Sequence, residues 1–407
     1  MIKRMTLKQF VFIIPLLCFI GVFSIYPILT SFLYTFFDYR TNDQQYNSFY
    51  ISEKFNAPLF VEDCDYVNYF ISADMTLVSE EDQQVFASIQ EEVTAMKEQY
   101  EGETATRNFQ SGEKDEVASF VEKISGEITA IYDKYPDVEF YNRENMETIL
   151  QDLSGTIVQS NFVGGSNYAR LVQDGRSWAA LLHTVIFMVC SVTLEFVLGM
   201  CLALIMNKAM KGIGIVRTIA LIPWAIPTAV SALMWSYLYD GSYGVVSKIF
   251  DVIGIIPDQT SMLLTAGGAM ASAILADVWK TTPYMALLLL AGLQTIDRGL
   301  YESAAIDGAS PVRTFFSITL PLMKPSILVA LLFRTLDSFR VYDLIAILTS
   351  GGPGNGTETL SVYAYKLMFN QSNYGYGSVV VIGMFVCVAI IATIYVKVLG
   401  ADVLRND

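Results

Sequence analysis

Six stretches of the chain are apolar for about 20 residues or more, the length a helix needs to cross a bilayer. Residues 9–37, 218–239 and 367–396 carry no charged side chain. Residues 178–207 hold a single acid, Glu195, and 259–296 are interrupted only by Asp277 and Lys280. Residues 325–350 are apolar apart from Arg334, Asp337, Arg340 and Asp343. The pattern predicts six transmembrane helices.

Between the first two spans the pattern changes. Val85, Ile89, Val93, Met96 and Tyr100 recur at helical steps, as do Val117, Val121, Ile124, Ile128, Ile131 and Tyr135. Met146, Ile149, Leu150 and Leu153 continue the series, and turns are expected at Glu101–Glu103 and Ser111–Glu113. Residues 41–79 show no clean period. We therefore expect residues 1–40 to hold a cytoplasmic N-terminus and helix 1, and 41–178 to form a helix-rich extracytoplasmic insertion. Residues 179–400 should then form the transmembrane core of helices 2–6, and 401–407 a cytoplasmic tail.

Charge sharpens this division. Of a net charge of −14, residues 41–178 contribute −17, from 26 acidic and 9 basic side chains. The remainder is slightly basic. Lys3, Arg4 and Lys8, then Lys208, Lys211 and Arg217, then Arg298, Arg313 and Lys324, then Lys397 and Arg405 all fall on one side of a six-span chain. Bases accumulate on the cytoplasmic side, so both termini are expected there and the insertion outside. The uncharged run of helix 1 is too long for a cleaved signal and reads as an anchor. Cys64 is alone in the insertion, whose stability must come from packing.

No glycine-lysine dipeptide occurs, which excludes a P-loop. The single histidine, His183, has no ligands or triad partners at suitable spacing, so neither metal binding nor hydrolysis is expected. Glu62, Asp63 and Asp65 read as solvated surface, and Gly351–Gly356 as a set of turns. Glu195 is expected to hydrogen-bond a neighbouring helix. Pro223 and Pro227 read as kinks. In the fifth span Arg334, Asp337, Arg340 and Asp343 follow at intervals of three with alternating sign. Charges in hydrocarbon cost about 2.5–3.5 kcal/mol each on insertion scales, so these should pair and line a polar path, with Ser338 on the same side. Asp277, Trp279, Lys280, Thr281, Thr282 and Tyr284, around Pro283, give the fourth span a second polar and aromatic face suited to a hydroxylated solute.

The loop 297–325 carries Glu302, Ala304 and Gly308, then Ile318, Leu320 and Pro321. This spacing resembles the EAA loop of the permease subunits of bacterial ABC importers, with Ser303 departing from its second position. Pro223–Pro227, Asp277–Pro283 and Gly351–Gly354 look like the sugar-importing branch of that family, and the resemblance covers residues 179–400 and helix 1. It implies an all-α polytopic permease of six transmembrane helices with the insertion between helices 1 and 2. Coupling to an ATPase subunit falls on Glu302, Ala304, Asp307 and Gly308. The substrate path falls on Lys280, Thr281, Tyr284, Arg334, Asp337, Ser338 and Val341.

The resemblance further implies a second permease subunit, ATP-binding cassette subunits and an extracytoplasmic solute-binding protein as partners. The chain itself is expected to bind no cofactor or metal, with ATP and magnesium on the partner ATPase. It should reside in the bacterial inner membrane, import a carbohydrate, and have no nucleic-acid partner. The alternatives left by the residues are glycerol phosphate, a sugar alcohol, or a secondary transporter working without an ATPase.

Overall fold

The computed structural model describes residues 7–43, 45–208 and 212–403. Lys3, Arg4, Lys211 and Arg405 of the orientation argument lie outside the described residues, as does most of the 401–407 tail. The chain divides into two compact units, one of residues 1–35 with 165–407 and one of residues 36–164. The first opens with α1 (Leu7–Ile20) and α2 (Tyr26–Tyr34), joined through a π-turn at Gly21–Ile25. Ile13–Tyr34 has a mean hydropathy of 2.2 and buries none of its length, as a lipid-facing span requires.

The unit 36–164 is helical with a small sheet. In chain order it contains β1 (Lys54–Phe55), α3 (Ala57–Asp74), α4 (Glu80–Tyr100) and β2 (Arg107–Asn108). Then follow α5 (Glu113–Lys134), α6 (Arg143–Gly155) and β3 (Ile157–Val158). The strands pair antiparallel in the order β2-β1-β3. Most of the expected periodic residues face inward, Ile89, Val93, Val117, Ile124 and Met146 sharing a core with Phe55, Phe60 and Phe86, whereas Val85 is exposed. Gly102 and Gly112 take positive φ at the expected turns. Helix α3 occupies the stretch without a clean period. Its buried face mixes Phe60, Cys64, Val67 and Ile71 with the acids Asp63 and Asp74, which masks the apolar rhythm. Asp63, read as solvated surface, is only 2% exposed.

Residues 165–178 fold with the other unit, as α7 (Ser166–Gln173) and the start of α8 (Gly175–Met206). Beyond these come α9 (Ile213–Ala225), α10 (Thr228–Leu238), α11 (Val245–Val252), α12 (Ser261–Leu264) and α13 (Ala266–Leu293). The cytoplasmic-type loop of the sequence holds α14 (Arg298–Ile306), α15 (Pro311–Thr314) and α16 (Leu320–Leu322). The rest is α17 (Lys324–Phe339), α18 (Asp343–Leu348), α19 (Leu360–Tyr365) and α20 (Tyr374–Val403). Helices α8 and α13 pack over Val192, Met200, Ala203, Met285, Ala286 and Leu289. Gly199 lets them approach, because a Cβ there would lie 2.8 Å from Met285 Cγ.

Among the described residues four helices are long and apolar enough to span: Ile13–Tyr34, Gly175–Met206, Ala266–Leu293 and Tyr374–Val398. Two bent helix pairs, Ile213–Ala225 with Thr228–Leu238 at 88° and Pro311–Leu322 with Lys324–Phe339 at 70°, bring the number to six if each is one span. The expected helix over 325–350 is corrected here: it stops at Phe339 and resumes at Asp343. Irregular backbone at membrane depth is tolerated only where it is buried in protein or lines a cavity. This break lines one.

Candidate functional site

The break after Ala225 follows from Pro227. The residue before a proline is pushed to extended backbone, and Ile226 takes ψ 132°. Proline also brings no N–H, so carbonyls at the end of α9 lose their helical donors. Lys280 of α13 supplies the replacement: its Nζ donates to Ile226 O at 2.9 Å and to Trp224 O at 3.3 Å. A buried ammonium thus finds oxygen, and the carbonyl end of a helix finds a cation. Tyr284, one turn further along α13, stacks on Trp224 with ring centroids 5.5 Å apart and planes 12° apart.

Behind this wall sits Arg334 of α17, 2% exposed. Its Nε and Nη2 grip Glu195 of α8 at 2.5 and 2.9 Å. Nη2 also donates to Asp277 of α13, and Nη1 donates to Asp337 at 3.0 Å. Thr281 Oγ donates to Glu195 Oε1 at 2.7 Å. Arg340 approaches Asp337 at 3.6 Å. Three helices are joined by one guanidinium, and Glu195 finds more than the expected single interhelical bond. The paired, alternating ladder is only partly realised. Arg334 pairs mainly with other helices, and Asp343 lies beyond the break.

These groups surround a cavity of about 330 Å³. Lys280, Thr281, Arg334, Asp337, Ser338 and Val341 line it, six of the seven residues expected on the path. Tyr284, the seventh, stands behind Trp224. Trp224 and Thr228 also line the cavity and were missed, because the proline pair read only as a kink. The Ser338 hydroxyl is buried without a partner. Donors, acceptors and one exposed indole face therefore border the same space.

None of the remaining expected residues lines this cavity: Glu302 and Ala304 lie on α14, and Asp307 and Gly308 form its C-terminal cap. Asp297 caps the helix by accepting from Gly299 N at 2.7 Å. The other end closes through Ala309 N to Ala304 O at 2.9 Å and Gly308 N to Ala305 O at 3.1 Å. That is the Schellman pattern, and Gly308 supplies its left-handed residue at φ 76°. Ala304 is buried, whereas Glu302, Asp307 and Ile306 face outward, Ile306 87% exposed. Beside them a groove of about 720 Å³ runs along Tyr301, Ala305, Val312 and Phe316.

A separate cluster, also unread in the sequence, holds the glycine-rich turn. Glu358, buried, takes Arg176 at 2.7 and 2.9 Å and Lys366 at 2.8 Å. Gly351 passes so close that a Cβ would lie 3.0 Å from Lys366 Nζ.

Broken spans, a compensated charge cluster at their break and an outward-facing short helix define a polytopic helical transport component. The family model for the inner membrane component of binding-protein-dependent transport systems matches residues 195–405, and the chain belongs to this family of multi-pass inner-membrane proteins. It is 47% identical over 242 residues to the trehalose/maltose transport system permease protein MalF of Thermococcus litoralis, covering 60% of this chain and 81% of that protein. It is 41% identical over 240 residues to the trehalose transport system permease protein SugA of Mycobacterium tuberculosis, covering 59% and 76%. Its fold is similar to a chain of a bacterial alginate ABC transporter solved in complex with an alginate pentasaccharide-bound periplasmic protein. There the TM-score is 0.52 at 25% identity, over 57% of this chain and 82% of that one. The family comprises membrane transport components rather than enzymes.

Proposed function

We propose that this chain is the permease subunit of an ATP-driven importer for a carbohydrate and forms half of its translocation path. The observation that carries this reading is the cavity at the two helix breaks, where hydroxyls, carboxylates and an indole face border one space. Sugars present an apolar ring face and a rim of hydroxyls, and this lining answers both. The two sugar permeases that resemble the chain support the same solute class.

The energy comes from partner ATPase subunits, which bind ATP and its magnesium; this chain brings no nucleotide site. Glu302, Ala304, Asp307 and Gly308 form the coupling helix that docks on such a subunit. Ile306 supplies apolar contact area at the same face. A second permease chain completes the path, and an extracytoplasmic binding protein delivers the solute. Both termini are cytoplasmic and residues 36–164 form an outer domain. Helix α14 follows α13 directly, and α15 to α17 lead back to the cavity. A push on α14 is therefore carried to both cavity walls, which exchanges inward and outward access.

Gly308→Pro tests the coupling. Proline is held near φ −65° and cannot take the left-handed cap. The assembled importer carrying it should insert normally and lose ATP-driven uptake of maltose or trehalose into proteoliposomes. Unchanged uptake would remove α14 from the coupling path.

A further inference from the structure

We infer that the cavity selects uncharged sugars and rejects anionic ones, and that Asp337 is the residue that sets this choice. The inference rests on the carbohydrate reading above. Three cations line the space, Lys280, Arg334 and Arg340, and each is already answered. Four of the five N–H bonds of Arg334 point at carboxylates: two at Glu195, one at Asp277 and one at Asp337. Lys280 spends two of its three N–H bonds on the carbonyls of Trp224 and Ile226. Arg340 leans on Asp337 at 3.6 Å. Against these stand three lining carboxylates, Asp277, Asp337 and Asp343, with Glu195 directly behind. The wall has no uncompensated positive charge.

An arriving phosphate or uronate would have to leave water for a space where Arg334 is held by three carboxylates, Lys280 by two carbonyls, and Arg340 lies 3.6 Å from Asp337. It would also meet Asp337, half-exposed in the wall, as a like charge. A neutral hydroxylated solute meets what it can use: carboxylate oxygens that accept from its hydroxyls, and the Trp224 ring. Asp337 is the pivot because it bridges Arg334 and Arg340. Removing its charge weakens the hold on one N–H of Arg334 and takes away the carboxylate nearest Arg340.

The test measures binding of trehalose and of trehalose 6-phosphate to the assembled importer in nanodiscs, with maltotriose as a larger neutral control. The wild-type protein should bind trehalose at least about 10-fold more tightly than its phosphate, the step that corresponds to 1.4 kcal/mol. Asp337→Asn should close that gap by about 10-fold or reverse it, and Asp343→Asn, at an exposed lining position, should move it the same way by less. Wild-type binding of the phosphate as tight as that of trehalose would overturn the inference while the carbohydrate reading stood. An unchanged ratio in both variants would overturn the role of Asp337. Failure of all three sugars to bind the assembled wild-type importer would overturn the carbohydrate reading itself.

Discussion

The unit 36–164 and the unit that spans the membrane both bury acids, and the two most deeply buried acids of the first, Asp63 and Asp74, are held by other means than the cluster of the second. In the former, Asp74 accepts from Tyr132 Oη at 2.8 Å and from the backbone of Tyr141 and Asn142, with no cation involved. Asp63 has an oxygen with no partner at all. Burial, with Asp152 and Glu62 nearby, pushes its carboxyl up to about 7, so it keeps its proton through the acidic range. In the membrane-type unit, Glu195, Asp277 and Asp337 are instead gathered on Arg334. A proton suffices where the acid only has to be packed. A fixed cation is needed where the oxygens must stay in place at the edge of a cavity.

The largest break in this contrast is Arg334→Met. It strands Glu195 and Asp277, and removing one partner of a buried ion cluster costs about 3–5 kcal/mol. We expect loss of assembled importer, measured by detergent-resistant complex on size exclusion. Restoration by a second change, Glu195→Gln, would show that the loss is electrostatic.

Asp63 should behave in the opposite sense. Its folded form keeps a proton to about pH 7, whereas the unfolded chain releases it near pH 4, so stability is present at low pH and falls as pH rises between them. The slope is at most about 1.4 kcal/mol per pH unit. Hydrogen exchange of α3 amides in the full chain, corrected for intrinsic rates, should show protection falling from pH 5 to pH 8. Asp63→Asn should flatten that dependence.

A smaller effect is expected of Lys280→Met, which keeps the stem and leaves two carbonyls without a donor, at about 1–2 kcal/mol. Its signature is local: the Trp224–Tyr284 stack should loosen, seen as a change in tryptophan fluorescence. Smallest is Lys123→Ala, which removes an exposed pair with Glu92. Such pairs contribute about 0.2–1 kcal/mol, and the melting temperature should barely move.

Much of this architecture was legible in the chain. Uncharged runs marked the spans, because hydrocarbon tolerates little else, and the cost of Arg334 in the membrane already required a polar space around it. The spacing from Glu302 to Pro321 marked α14 and its glycine cap. What could not be read were facts about partners far away in sequence. Nothing near Lys280 says that it caps the broken end of α9, 54 residues earlier. Nothing near Pro227 says that Trp224 turns into the cavity. The stop at Phe339 is hidden because Arg340 and Asp343 continue a plausible helical spacing. Helix α3 escaped because buried acids occupy its inner face.

The cavity and the coupling helix are two ends of one path, and cysteine labelling at Val341 tests both together. In an importer whose five cysteines are replaced by serine, Val341→Cys would be probed with a membrane-impermeant maleimide, with and without maltose, before and during ATP turnover. Labelling is predicted to be blocked by maltose and to change with ATP, and Gly308→Pro should abolish only the response to ATP. Labelling indifferent to maltose, or an ATP response that survives Gly308→Pro, would contradict that single path.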